Sequence, residues 1–323
     1  MINICYLSHN RTEFKKYWRI TSHILNNIKP ENKDKVKLSI LATNEIPEWE
    51  QWAPDDIETE LVLFEKSDIN LMEKIRHAAE SDTEYIVKHD EDVFFSSHVW
   101  DYIIENIDVL QNEDNLLITP LLSNNIPLVD TFIPSFIEDE EIRNKMNSLF
   151  ASQEMPNGLW GVDYSPLNEY TINATEWNPE AYYAGVSNLP TNFKGIHPMR
   201  ICAEAQIVLN DYILDNFDKM LAKHEYGFAE MAQPYFTTST FFMRTETLAK
   251  IVNMTAYDAF EEVQLNMYRH EYNKKLLYVS NGFGIHTMYN TVYGNKNIWN
   301  IGMEDGYTYE VNLVESINQK LGL

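Results

Sequence analysis

The residues best suited to chemistry lie in Glu84-Tyr-Ile-Val-Lys-His-Asp90-Glu91-Asp92-Val-Phe-Phe95, where two carboxylates separated by one residue close a short apolar run. Side chains alternate along an extended chain, so Asp90 and Asp92 share a side if the strand continues that far, and Glu91 points away. Both carboxylates then converge beyond the carboxyl end of a strand. In open α/β sheets that edge is where ligands bind, and paired hard oxygen ligands there suit Mg2+ or Mn2+ carrying a diphosphate. A calcium loop of the EF-hand kind does not fit, because its sixth position requires glycine and holds Phe95.

Three further groups have chemical potential. Glu261 and Glu262 open or continue a helix, and either carboxylate acts as a general base if it stands beside an acceptor hydroxyl. Lys74 and Arg76 lie on the helical segment leading toward Asp90, and each either meets a phosphate or a base there or stands on a solvated helix face. Gly195-Ile-His197-Pro-Met-Arg200 joins a turn to two groups able to bind an anion or hydroxyls, and Trp160, Tyr164, Tyr170, Trp177, Tyr182 and Tyr183 crowd before it. Flat aromatic faces stack on sugar rings, so Trp177, His197 and Arg200 form a candidate acceptor platform. The sequence lacks G-x-x-x-x-G-K-[ST], G-x-S-x-G and H-E-x-x-H.

These residues need a frame to hold them. Short β-branched runs at 2–7, 36–42, 60–65, 84–88 and 115–119 alternate with helical patterns at 13–26 and 70–80, and Ser96 or Ser97 caps a further helix. That alternation predicts an α/β domain with a mainly parallel sheet covered on both faces. Residues 124–202, proline-rich and weakly periodic, read as a long insertion that carries the acceptor platform. Helical patterns return at 203–223, 245–253 and 256–268, with β-rich runs at 236–243 and 276–279. The expected division is 1–123 as a first α/β half, 124–202 as the insertion and 203–323 as the second half of the same domain.

Composition narrows the partners. The 323 residues include 49 acidic and 25 basic ones, a net charge of −24 that repels polyanions except at a local basic patch. The two cysteines, Cys5 and Cys202, exclude a disulfide framework and a four-cysteine zinc site. No apolar run reaches the ~20 residues of a membrane span, and the first residues lack a signal-peptide pattern, so a cytoplasmic location is expected.

The chain resembles nucleotide-sugar glycosyltransferases of the GT-A fold, whose sheet ends in an Asp-x-Asp metal motif. The resemblance rests on Ile4-Cys-Tyr-Leu-Ser-His-Asn-Arg11 as first strand and nucleotide-binding turn, Asn70-Leu-Met-Glu-Lys-Ile-Arg-His-Ala-Ala79 as the helix before the motif, and Asp90-Glu-Asp92 itself. It extends to Thr238-Ser-Thr-Phe-Phe-Met-Arg244 as an acceptor-side strand and to Phe260-Glu-Glu-Val-Gln-Leu-Asn266 as the acidic catalytic helix start. His286 in Gly282-Phe-Gly284-Ile-His-Thr matches a late histidine that completes the metal site in many members, with the glycines letting backbone approach a ligand.

The resemblance implies a Rossmann-type sandwich and transfer of a sugar from a nucleoside diphosphate, UDP-linked, to a hydroxyl of a glycan or a hydroxylated phage DNA base. It makes 1–123 the nucleotide-sugar-binding half and 203–323 the acceptor and catalytic half. It places Mn2+ or Mg2+ on Asp92 and His286, with Asp90 on the metal or the donor ribose. Ser8, Asn10, Arg11 and Lys74 fall on the donor and Glu262 or Glu261 acts as base. Nucleotidyl transfer to a sugar phosphate and non-catalytic carbohydrate binding are the competing readings.

Overall fold

Every residue of β1 (Ile2–Leu7) is buried, as a strand covered on both faces must be, and its near-continuous apolar sequence is the reason. The computed structural model of the chain describes residues 1–8, 14–43, 45–46, 48–65, 70–124, 128–151, 203–231, 236, 238–253, 261–287 and 303–323. Around β1 lie β2 (Val36–Ala42) and β4 (Tyr85–Asp90), both parallel to it, with β3 (Glu58–Leu63) parallel to β2 at the edge. The chain reaches β2 through α1 (Phe14–Asn26), which buries Tyr17, Trp18, Ile20, Ile24 and Leu25, and the single turn α2 (Pro30–Lys33), and returns from β3 to β4 through α3 (Asn70–Ala79). Right-handed crossovers running in opposite directions along a sheet put α1 and α3 on opposite faces.

Beyond β4 the expected parallel order stops. The sheet continues through β8 (Thr240–Arg244), β6 (Asn115–Leu122), β9 (Lys275–His286) and β5 (Val93–Phe95), with β7 (Gly227–Glu230) beside β9. The β4·β8, β6·β8, β5·β9 and β7·β9 pairs are antiparallel and β6·β9 is parallel. Among the described residues the nine-stranded sheet is therefore mixed, with parallel and antiparallel pairings in equal number. The reason is connection: β8 arrives from a distant part of the chain rather than through a crossover helix from its neighbour, so nothing constrains it to run parallel.

The sheet must also curl. Four strand spacings separate β4 from β5 in the sheet order, roughly 19 Å if the sheet were flat. The link from Asp90 to Val93 can span at most about 11 Å. A bulge in β9 supplies part of the bend: Thr119 and Leu121 of β6 pair with Tyr278 and Phe283, so residues 279–282 arch out between them. Asn281 takes a left-handed conformation with φ 58°. Gly282 has no room for a side chain, because a Cβ there would meet Val279 Cγ1 at 2.6 Å. The strand expected at 276–279 therefore continues to His286, and Gly282 and Gly284 serve strand packing where a ligand approach was expected.

Helices cover the rest. Ser96 caps α4 (Ser97–Glu105), its hydroxyl accepting from Val99 N at 3.3 Å. Within the expected insertion, α5 (Val129–Phe136) places Phe132 and Phe136 against Phe283 of β9, and α6 (Glu140–Ala151) contacts α7 (Ala203–Asp215). The helical pattern at 203–223 breaks at Asn216 into α7 and α8 (Phe217–Leu221). α9 (Thr245–Asn253) contacts α3 on one side and α10 (Glu261–Glu271) on the other, while α11 (Met303–Leu321) contacts α1. No helix among the described residues is long and apolar enough to cross a membrane.

Candidate functional site

The curl brings the carboxyl end of β4, the turn after it and the far end of β9 to one corner. β4 ends at Asp90, so Glu91 and Asp92 form a turn in which strand alternation no longer applies. The turn is pinned from both sides. Asp90 N donates to Ser239 O at 3.1 Å, ahead of β8, and Asp92 O accepts from Thr287 N at 2.9 Å, beyond β9. Asp92 Oδ1 consequently lies 3.5 Å from His286 Nε2, with both side chains buried. His286 N donates to Ser123 Oγ at 3.2 Å, and its Nδ1 is buried with no hydrogen-bond partner among the described residues.

Lys88 was missed by sequence reasoning, although it stands two residues before Asp90 on the same side of β4. Its Nζ donates to Asp90 Oδ2 at 2.6 Å and to Thr238 O at 2.9 Å, and its side chain is 2% exposed. Burial pushes the Asp90 carboxyl above the usual carboxylate range even against the pull of Lys88, and the Asp92 charge adds to the rise. The i, i+2 relation to Asp90 was the available signal.

Glu91 is fully buried. Its charge raises the Tyr6 phenol, which burial has already pushed up, and supports the Lys74 ammonium. Lys74 is buried as well, Nζ donating to Ser8 O at 2.9 Å. Loss of hydration lowers it to about 8, against the opposing influence of Glu91 and Asp90. Lys74, Ser8, Asp90, Asp92 and His286 thus belong to one end of the sheet.

Other expected residues stand differently. Asn10, Arg11, Trp177, His197 and Arg200 lie outside the described residues. Glu261 and Glu262 form the first turn of α10, and their side chains also lie outside the description. α10 is nevertheless tied to the acidic corner. The Asn266 amide accepts from Phe236 N and donates to Phe236 O, both at 2.8 Å, bracketing the segment that leads to Thr238, Ser239 and Asp90.

The corner offers two carboxylates and an imidazole, hard oxygen and nitrogen donors appropriate to Mn2+ or Mg2+. Two ligands about 2.1 Å from one octahedral cation sit about 3 Å apart, close to the 3.5 Å between Asp92 and His286. Among the described residues no three His, Cys, Asp or Glu side chains are arranged to hold a metal ion as they stand. Asp90, the third donor, has one oxygen engaged by Lys88. A cavity of about 540 Å³ opens at the other end of β4, lined by Ser81, Thr83, Glu84, Gln111 and the Arg244–Glu246 pair, but gathers no comparable donor set. No protein-family model matches the chain, and no curated protein shows significant similarity to it.

Proposed function

We propose that the protein is a metal-dependent glycosyltransferase acting on a nucleoside diphosphate sugar. The observation carrying this reading is the approach of Asp92 to His286 at the carboxyl end of the parallel strands, with Asp90 closing β4 just before the turn and Lys74 held at the same end of the sheet. A diphosphate needs several positive charges and hard-ligand contacts at one place, and this corner combines both.

Asp92 and His286, with Asp90 on the ion or on the donor ribose, would hold the divalent cation. The cation, when bound, stabilises the charge that develops on the leaving diphosphate. Lys74 faces the phosphates as a fixed cation, its place set by the Ser8 carbonyl at the end of β1. In the reaction the bond between the anomeric carbon and the diphosphate oxygen breaks, its electron pair leaving with the diphosphate. The acceptor oxygen bonds to the anomeric carbon and its proton passes to a base, Glu262 or Glu261 if the configuration inverts. The acceptor is a glycan or a hydroxylated DNA base, contacted by Trp177, His197 and Arg200.

Calorimetry with UDP and GDP, with and without Mn2+, tests the reading. Binding should require the ion, and Asp92→Asn should abolish it while the variant keeps its thermal stability. Ion-independent binding untouched by the substitution refutes the assignment. Incubation with a panel of nucleotide sugars separates the competitors: free nucleoside diphosphate marks sugar transfer, and pyrophosphate marks nucleotidyl transfer.

A further inference from the structure

Among the described residues, five charged side chains share the corner. Asp90, Glu91 and Asp92 are each at most 9% exposed, and Lys88 and Lys74 at most 4%. A divalent cation entering alone meets the positive charge of Lys88 and Lys74 in a place shielded from water, whereas a cation arriving with the two negative charges of a nucleotide-sugar diphosphate brings their offset with it.

Lys88 makes the difference sharper. It is anchored in the middle of β4, its stem is enclosed, and its Nζ is held at once by Asp90 Oδ2 and Thr238 O. An ion approaching Asp90 therefore meets a fixed like charge on the very carboxylate it needs.

We propose that Lys88 is an internal counter-ion for Asp90 that makes divalent-ion uptake at this corner depend on the nucleotide diphosphate. Lys88 is thus a positioning residue: it holds the carboxylate in place between turnovers and opposes the bare metal. Removing it exposes Asp90 to the ion. This inference rests on the metal-dependent reading above and adds an order of events to it.

The test is Mn2+ titration of the full chain followed by electron paramagnetic resonance, without nucleotide, for the wild type, Lys88→Met and Lys88→Gln. A unit charge about 5 Å from a divalent ion changes affinity by roughly tenfold even at the dielectric constant of water, so both variants should bind Mn2+ alone at least about tenfold more tightly. Adding Asp90→Asn to either should cancel the gain. The glutamine variant retains a donor for Thr238 O and serves if the methionine variant does not fold. Equal Mn2+ affinity in wild type and variants overturns the proposal and leaves the glycosyltransferase reading intact. The wild type alone gives a second check, because Mn2+ binding without UDP as tight as with UDP overturns it equally. Absence of Mn2+ binding with UDP present refutes the metal-dependent reading itself, and this inference with it.

Discussion

Gly284 lies two residues before His286 and pairs with Phe95 across the β5·β9 ladder, so a change there acts on the spacing that brings His286 to Asp92. A Cβ at this position would come 2.8 Å from Leu122 Cδ2, 3.0 Å from Phe94 O and 3.1 Å from Phe95 Cβ. The leucine methyl can rotate away. Phe94 O and Phe95 Cβ cannot yield unless β5 moves off β9. Two effects oppose each other in Gly284→Ala. Alanine restricts the unfolded chain, worth about 0.4–1 kcal/mol in favour of folding where the backbone suits it. Overpacking a filled core costs about 1–3 kcal/mol. The strain is expected to win, lowering stability by about 1–2 kcal/mol in urea denaturation with an unchanged slope. Pushing β5 outward also draws Asp92 from Thr287 and His286, so Mn2+-dependent UDP affinity should fall as well. Leu122→Val removes the nearest methyl and should return part of the loss when combined with Gly284→Ala, as favourable coupling in a double-mutant cycle. An alanine variant as stable as the parent with unaltered UDP binding refutes the reasoning, since the contacts would then not set the spacing.

On the proposed reading, Lys74 should make nucleotide binding pH-dependent. Its ammonium is lowered to about 8, so UDP affinity measured by calorimetry should decline between pH 7 and 9 as the amine loses its proton, and Lys74→Met should flatten that profile. The same shift makes this group's contribution to folding grow from about pH 8 toward 10.5, where the unfolded chain still binds the proton that the folded one has released. Asn266→Ala removes two buried bonds and strands both backbone groups of Phe236, so chemical denaturation should report a loss of about 2–4 kcal/mol, and a loss below about 0.5 kcal/mol contradicts the bracket.

The sequence by itself determined the elements whose burial is local and periodic. The strands at 2–7 and 36–42 end where expected, α3 begins at Asn70, and Ser96 caps α4, because two-residue and 3.6-residue periods and a capping hydroxyl are written in consecutive residues. Asp90 and Asp92 were legible for the same reason, as polar residues closing an apolar strand. The long helix at 303–321 also left a trace in Leu313, Val314, Ile317 and Leu321, which the reading of the chain passed over. Tertiary structure alone decided who pairs with whom. Nothing near Val93 indicates that β5 joins the end of β9 rather than extending β4, nor that residues 279–282 arch out and carry the strand on to His286. Those pairings follow from the short link at residues 91–92 and from β8 arriving antiparallel, and both are contacts between distant parts of the chain. The same holds for charge. Lys88 reads in sequence as one more strand residue and Glu91 as a turn carboxylate facing away, and only closure of the sheet buries both. Burial then turns two ordinary charges into the groups that balance Asp90 and Lys74, because the cost of an enclosed charge depends on what surrounds it and not on its neighbours along the chain.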